Sequence, residues 1–104
     1  MFTYTQDQLE GWKKKYGDGN VFEVVVEDKK VILHKPTRRD LSYAMAGSNQ
    51  AKDSIKFTEI LLNQCFIEGD PEIKDNDDYF LAVVPVLGAL AEQKDAEIKS
   101  SNAG

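Results

Sequence analysis

The segment from Val31 to Leu41 is the strongest local constraint on how this chain folds. It opens with apolar, partly β-branched residues, which favour a strand. Pro36 then lacks a backbone N–H donor and biases the residue before it toward extended geometry, so the strand ends there. Thr37 and Asp40 have the spacing of a helix capping box. The segment therefore predicts a strand followed directly by a helix.

A second β-branched run, residues 21–26, precedes this segment and is separated from it by the charged residues 27–30. Two apolar runs joined by a short polar segment predict a β-hairpin. A two-stranded hairpin is only marginally stable in water. Helices must therefore cover one of its faces, or a partner chain must extend the sheet.

Helical patterns surround the predicted hairpin. The predicted helices span about residues 5–16, 37–47, 53–68 and 75–99. The first begins with the capping pair Thr5 and Gln8, and the last begins with a run of acidic residues that suit a helix N-terminus. Pro85 lies inside the last helix and should kink it, unless the helix begins there.

The chain has 104 residues, which fits a single small domain. We expect an α+β fold in which a β-hairpin packs against about four helices. Residues 1–18 are predicted to form an N-terminal helical arm, residues 20–99 the core and residues 100–104 a frayed tail. The arm carries one apolar stripe, through which it either packs on the domain or docks on a partner.

Composition argues against several classes of protein. The formal net charge of −5 is a poor match for a phosphate backbone. Cys65 is the only cysteine, so no intrachain disulfide can form, and its apolar neighbours predict a small buried hydrophobe. No secretory signal pattern is present, and the longest apolar run, residues 80–87, is too short to span a bilayer. We therefore expect a soluble, cytoplasmic protein with no membrane partner.

No catalytic, cofactor or metal site is predicted. His34 is the only histidine and has no cysteine near it in the sequence, so a zinc site lacks ligands. The acidic residues from Asp70 to Asp78 fail the spacing of a calcium loop and are better explained as helix caps. Catalysis at His34 would require the fold to bring a carboxylate or Cys65 beside it.

Lys35, Arg38 and Arg39 form a small basic cluster at a predicted helix N-terminus, where charge and helix dipole both favour a phosphate. The chain has no Gly-rich phosphate loop and no interleaved aromatic platform. Such a cluster is more typical of a solvated or protein-contacting surface. A small regulatory protein that binds nucleic acid through these three residues is the alternative function.

Several short motifs occur together in this chain: a strand end at residues 35–37, a capped helix at 38–41, an apolar helix ending at 65–67 and an acidic cap at 75–78. By these motifs, residues 31–62, and more broadly 21–98, resemble the tail assembly chaperones of tailed bacteriophages and prophages. The first helix lies outside the resemblance.

The resemblance implies a non-catalytic protein without a cofactor, which binds the tape measure protein, the tail tube protein or both in the host cytoplasm. Coating a long amphipathic helix requires an apolar groove and weak, reversible contacts. The implied contact residues are Leu41, Tyr43, Met45, Tyr79, Phe80 and Leu87. The same helical spacing is also typical of core residues. Whether the chain forms a homo-oligomer stays open.

Overall fold

The computed structural model describes residues 1–91, 96–97 and 99–100. Its helices are α1 (Gln6–Tyr16), α2 (Arg38–Gly47), α3 (Ser54–Cys65), α4 (Glu72–Asp75) and α5 (Asp77–Leu90). Its strands are β1 (Val21–Val26), β2 (Lys29–His34) and β3 (Phe66–Gly69), which form an antiparallel sheet in the order β1-β2-β3. The predicted α+β fold is confirmed. The expected polar end of the last helix and the frayed tail fall largely outside the described residues.

The hairpin is tighter than predicted. Val26 pairs with Lys29, so only Glu27 and Asp28 form the turn and both lysines after it belong to β2. Glu27 has a φ of 54°, in the left-handed region. Positive φ in a two-residue turn gives a twist that matches the twist of the flanking strands, which explains why this short connection is adopted.

Strand β3 is a correction to the prediction that residues 66–68 continue the third helix. The helix ends at Cys65, and the chain then pairs with β2, where Glu68 lies opposite Ile32 and Gly69 opposite Val31. Gly69 has a φ of 152°, and a Cβ atom there would lie 2.5 Å from Val31 Cα. A short apolar run does not distinguish a helix end from a buried strand, which is why the pattern misled.

The helix starts agree closely with the sequence. Both predicted capping boxes are present, at Thr5–Gln8 and Thr37–Asp40. The side chain of Asp53 caps α3, and that of Asn76 caps α5 after the additional one-turn helix α4. Pro85 lies inside α5, so this helix begins well before the proline.

The main core lies between one face of the sheet and the helices that follow it. Its buried members are Val24, Val31, Leu33, Ala44, Leu61, Leu62, Cys65, Ile73, Phe80, Val83 and Leu87. Alternation along the strands brings Val24, Val31 and Leu33 to the same face. The predicted burial of Cys65 is confirmed.

The N-terminal segment covers the opposite face of the sheet. Ile32 is on this face and is only 1% exposed. Tyr4 donates a hydrogen bond to Glu23 at 2.8 Å, and the Lys30 ammonium lies 5.6 Å from the centre of the Tyr4 ring. No residue of α1 is itself buried. The arm is therefore packed on the domain, but only through half-exposed side chains.

Asp70 anchors this segment to the sheet. Its carboxylate accepts a hydrogen bond from the backbone N–H of Phe2 at 3.0 Å and another from that of Lys30 at 2.8 Å. These two hydrogen bonds hold the pKa of Asp70 below its ordinary value, because both stabilise the ionised form.

The close approach of β3 to β2 can be tested with alanine. We expect Gly69→Ala to lower the free energy of unfolding by about 2 kcal/mol or more, because the new Cβ meets backbone atoms of Val31 and Lys30. Gly88→Ala is the control. Gly88 lies in α5, and a Cβ added there would have nothing within 4 Å. The free energy of unfolding should therefore rise by about 0.5–1 kcal/mol. Urea unfolding followed by circular dichroism measures the free energy of unfolding of both variants. Equal changes in the two variants would contradict the pairing of β3 with β2.

The Asp70 anchor predicts a pH dependence. A carboxyl whose pKa is lower in the folded than in the unfolded chain stabilises the fold above its unfolded pKa. That stability is lost as the pH falls through the folded pKa. The wild type should therefore lose more unfolding free energy than Asp70→Asn between about pH 6 and about pH 3. Urea titrations at each pH measure this difference, and parallel losses would show that Asp70 is not such an anchor.

Candidate functional site

An open groove runs between α3 and α5, with Lys74 of α4 on its border. Its volume is about 320 Å³, and it is lined by Ile55, Glu59, Lys74, Asp77, Phe80 and Leu81. A second cleft shares Glu59, Lys74 and Phe80 with it and adds Leu62, Asn63 and Asp75. The two clefts are therefore neighbours on this side of the molecule.

Apolar surface is exposed in the groove. Phe80 is 8% exposed, whereas Ile55 is 49% and Leu81 52% exposed. Glu59 and Asp77 add negative charge to the lining. An apolar strip bordered by charged side chains is typical of a surface that binds the apolar face of a partner helix.

The six residues predicted as partner contacts do not form one surface. Phe80 lies in the groove, while Leu87 is 1% exposed and belongs to the core. Tyr79 lines a separate cleft of about 250 Å³ beside the hairpin turn. On α2, Tyr43 and Met45 are 60% and 42% exposed but do not line the groove. Leu41 is half-buried against the core.

Ile55 and Leu81 were not predicted as site residues. Each is an apolar residue in the first or second turn of its helix. An apolar residue soon after a polar N-cap, Asp53 in α3 and Asn76 in α5, is a usable signal, but it does not reveal that the two helices lie side by side. The tertiary arrangement was needed to bring them together.

The basic cluster is fully on the surface. Lys35, Arg38 and Arg39 are all exposed, and no ion pair joins them to any part of the chain that the structure describes. The carboxylate of Asp40 already occupies the same helix N-terminus, where it accepts from the Thr37 N–H at 2.9 Å. A phosphate arriving there would meet this negative charge, which weakens the attraction of the helix dipole.

The fold also brings together three side chains that are far apart in the sequence. His34 at the end of β2, Asp40 in the first turn of α2 and Cys65 at the end of α3 have ligand-type atoms within 4.8 Å of one another. His34 Nδ1 lies 3.9 Å from Asp40 Oδ2. No motif spacing in the sequence indicates this cluster, because each member comes from a different element.

Hydrogen bonds and stacking fix the His34 ring. Its Nε2 lies 2.9 Å from the Gln64 carbonyl oxygen, and its Nδ1 lies 3.0 Å from the Lys35 carbonyl oxygen. The ring of Tyr16 stacks on it with centroids 4.8 Å apart. The histidine therefore connects β2, α1 and α3.

Cys65 is not an activated nucleophile in this environment. Burial, and to a lesser extent the negative charge of Asp40, raise the pKa of its thiol to about 12. The thiol therefore stays protonated near neutral pH, and the thiolate is the nucleophilic form. None of the clefts described above includes His34, Asp40 or Cys65.

Comparisons of this chain with protein-family models, curated proteins and solved structures found no match. Within the described residues, no helix combines the length and the apolar character needed to cross a bilayer. The groove, the charged surfaces and the sequence motifs are therefore the basis for a functional proposal.

The environment of Cys65 predicts slow modification. A pKa raised from 9.0 to about 12 leaves roughly a thousandfold less thiolate at neutral pH. Reaction with a disulfide reagent, with chelator present, should therefore be at least about 100-fold slower in the native protein than in urea. Absorbance of the released thiol reports both rates. Native and unfolded rates within tenfold of each other would contradict the burial of Cys65.

Proposed function

We propose that this chain is a bacteriophage or prophage tail assembly chaperone that holds an amphipathic helix of the tape measure protein in the groove between α3 and α5. The observation that carries the proposal is the apolar groove around Phe80, with Ile55 and Leu81 exposed beside it. The resemblance described above supplies the class of partner, which includes the tail tube protein. No catalysis and no cofactor are part of this activity.

The groove favours weak binding. Burying a large aliphatic side chain fully contributes about 1.5–3 kcal/mol, and Ile55 and Leu81 are already about half buried before any partner arrives. Association costs roughly 4–15 kcal/mol in lost translational and rotational freedom. One groove on one short helix therefore binds weakly, which suits a chaperone that polymerising tube subunits must displace. A long partner helix can engage several copies of the chain along its length.

Net charge supports the same role. The chain carries a formal charge of −5, and the groove lining holds two acidic residues, Glu59 and Asp77, against one lysine, Lys74. Like charge on successive bound copies keeps a coated helix soluble and discourages lateral association.

The first test is affinity capture of the tagged protein from source cells that are producing tails, with mass spectrometry of the bound proteins. Recovery of the tape measure protein or the tail tube protein would support the proposal. Recovery of neither, from a lysate that contains both, would refute it.

Variants of the groove make the test specific. Ile55→Glu and Leu81→Glu should each lower recovery of the tape measure protein at least about tenfold, because binding would bury an unpaired carboxylate. Val25→Glu is the matched control, since Val25 is likewise 52% exposed but lies on β1 outside the groove. Circular dichroism checks that all three fold. A loss with Val25→Glu as large as with the groove variants would argue against this groove.

The second candidate is a nucleic-acid-binding regulator. The observation that favours it is the exposed cluster of Lys35, Arg38 and Arg39, which has no ion-pair partner among the described residues. Three phosphate contacts would give a log–log salt slope of about −2.7 on duplex DNA. Changing all three residues to glutamate should then abolish binding, whereas the groove variants should leave it unchanged.

A further inference from the structure

The junction of β2, α2 and α3 holds a buried set of mixed donor atoms. The side chains of His34 and Asp40 are only 12% and 10% exposed, and Cys65 is 0% exposed. Their ligand-type atoms are an imidazole nitrogen, a carboxylate oxygen and a thiol sulfur, all within 4.8 Å of one another. Each of these three groups can bind a cation, in addition to its role in the helix cap, the ring contacts or the core.

The hydrogen bonds of His34 indicate which of its two ring nitrogens is free to bind an ion. Both ring nitrogens face backbone carbonyl oxygens, of Lys35 at 3.0 Å and of Gln64 at 2.9 Å. A neutral imidazole has one N–H donor, so it can satisfy only one of these carbonyls. We assign the proton to Nε2, which then donates to Gln64. The lone pair of Nδ1 is left facing the Lys35 carbonyl oxygen, with the Asp40 carboxylate 3.9 Å away.

We propose that His34, Asp40 and Cys65 form a binding site for a divalent transition-metal ion of the zinc class. Nitrogen, sulfur and carboxylate oxygen are the donors that Zn²⁺ takes in proteins. One thiolate and one carboxylate, together with a neutral imidazole, balance the charge of a 2+ ion. The loaded site is thus neutral, as a buried site requires. The charge of the ion stabilises the thiolate, which the apolar surroundings alone do not, and the thiol proton is released to solvent when the ion binds.

The geometry needs only small adjustments. Tetrahedral bonds of about 2.0–2.3 Å place ligand atoms roughly 3.3–3.8 Å apart. Nδ1 and Oδ2 are 3.9 Å apart, and one ring nitrogen of His34, a carboxylate oxygen of Asp40 and Cys65 Sγ all lie within 4.8 Å of one another, so side-chain shifts of about 1 Å would bring them to bonding distance of one ion. No other histidine, cysteine or acidic residue among those described joins the cluster. The fourth position is thus left to the Lys35 carbonyl or to water.

The surroundings already orient the proposed ligands. A metal-binding histidine commonly donates its other ring N–H to a backbone carbonyl, which is the contact that Nε2 makes with Gln64. The Asp40 carboxylate is held by the Thr37 N–H at 2.9 Å. These contacts orient the imidazole ring and the carboxylate before any ion binds.

Cobalt(II) is the probe for this site, because its spectrum reports ligand type and geometry. Metal-free protein, kept reduced and without oxygen, is titrated with Co²⁺ alone. We expect one equivalent to bind, with a thiolate-to-cobalt charge-transfer band and visible bands of tetrahedral intensity. Zn²⁺ should displace the cobalt and raise the melting temperature of the protein.

Three variants identify the ligands. Cys65→Ser should remove the charge-transfer band and lower the affinity for Co²⁺ at least about 100-fold. Substituting a residue that only contacts a ligand usually lowers metal affinity by less than this. Asp40→Asn keeps an oxygen for the Thr37 N–H but loses the charge, so affinity should fall while the helix cap remains. Gln64→Ala retains its backbone carbonyl and should bind like the wild type.

The outcomes are distinct. The site is supported if the wild type shows the charge-transfer band and Asp40→Asn weakens it. This result holds even if Cys65→Ser fails to fold. Absence of the band in the wild type overturns the proposal, and so does cobalt binding that a folded Cys65→Ser variant retains.

Discussion

The burial of β2 on both of its faces is the constraint on which the rest of the structure depends. Val31 and Leu33 point into the main core, Ile32 points to the other side, and all three are at most 1% exposed. A central strand of this kind requires a strand along each edge and a cover on each face. β1 and β3 supply the edges, the helices after β2 cover one face, and the N-terminal segment covers the other.

Interactions between residues close in sequence made part of this fold predictable from the sequence. The two capping boxes and the hairpin depend on residues close in sequence, so pattern and propensity identified them. β3 was missed because an apolar run after Cys65 continues a helix pattern equally well, and only pairing with β2 decides the matter. The groove and the His34 cluster depend on which helices become neighbours, which no local spacing encodes. Phe80 was predicted for the site, whereas Ile55 and Leu81 emerged only from the packing of α3 against α5.

The two candidate sites have different physical characters. The groove is open, apolar and half-solvated, which suits a partner that arrives and leaves. The cluster of His34, Asp40 and Cys65 is closed and polar, at the meeting point of three elements. An ion there would join β2, α2 and α3 without touching the groove. As proposed, the groove serves to recognise a partner, and the cluster adds rigidity to the scaffold that carries the groove.

The hydrogen bond between Phe2 and Asp70 has a consequence for synthesis of the chain. During translation the first residues emerge long before their partner at residue 70, and β3 emerges just ahead of that partner. Until then β2 has one unpaired edge, and the cover over Ile32 lacks its anchor. A nascent chain at this stage exposes a strand edge that can pair with another chain. Synthesis of residues 66–70 thus supplies both the missing edge strand of the sheet and the anchor for Phe2.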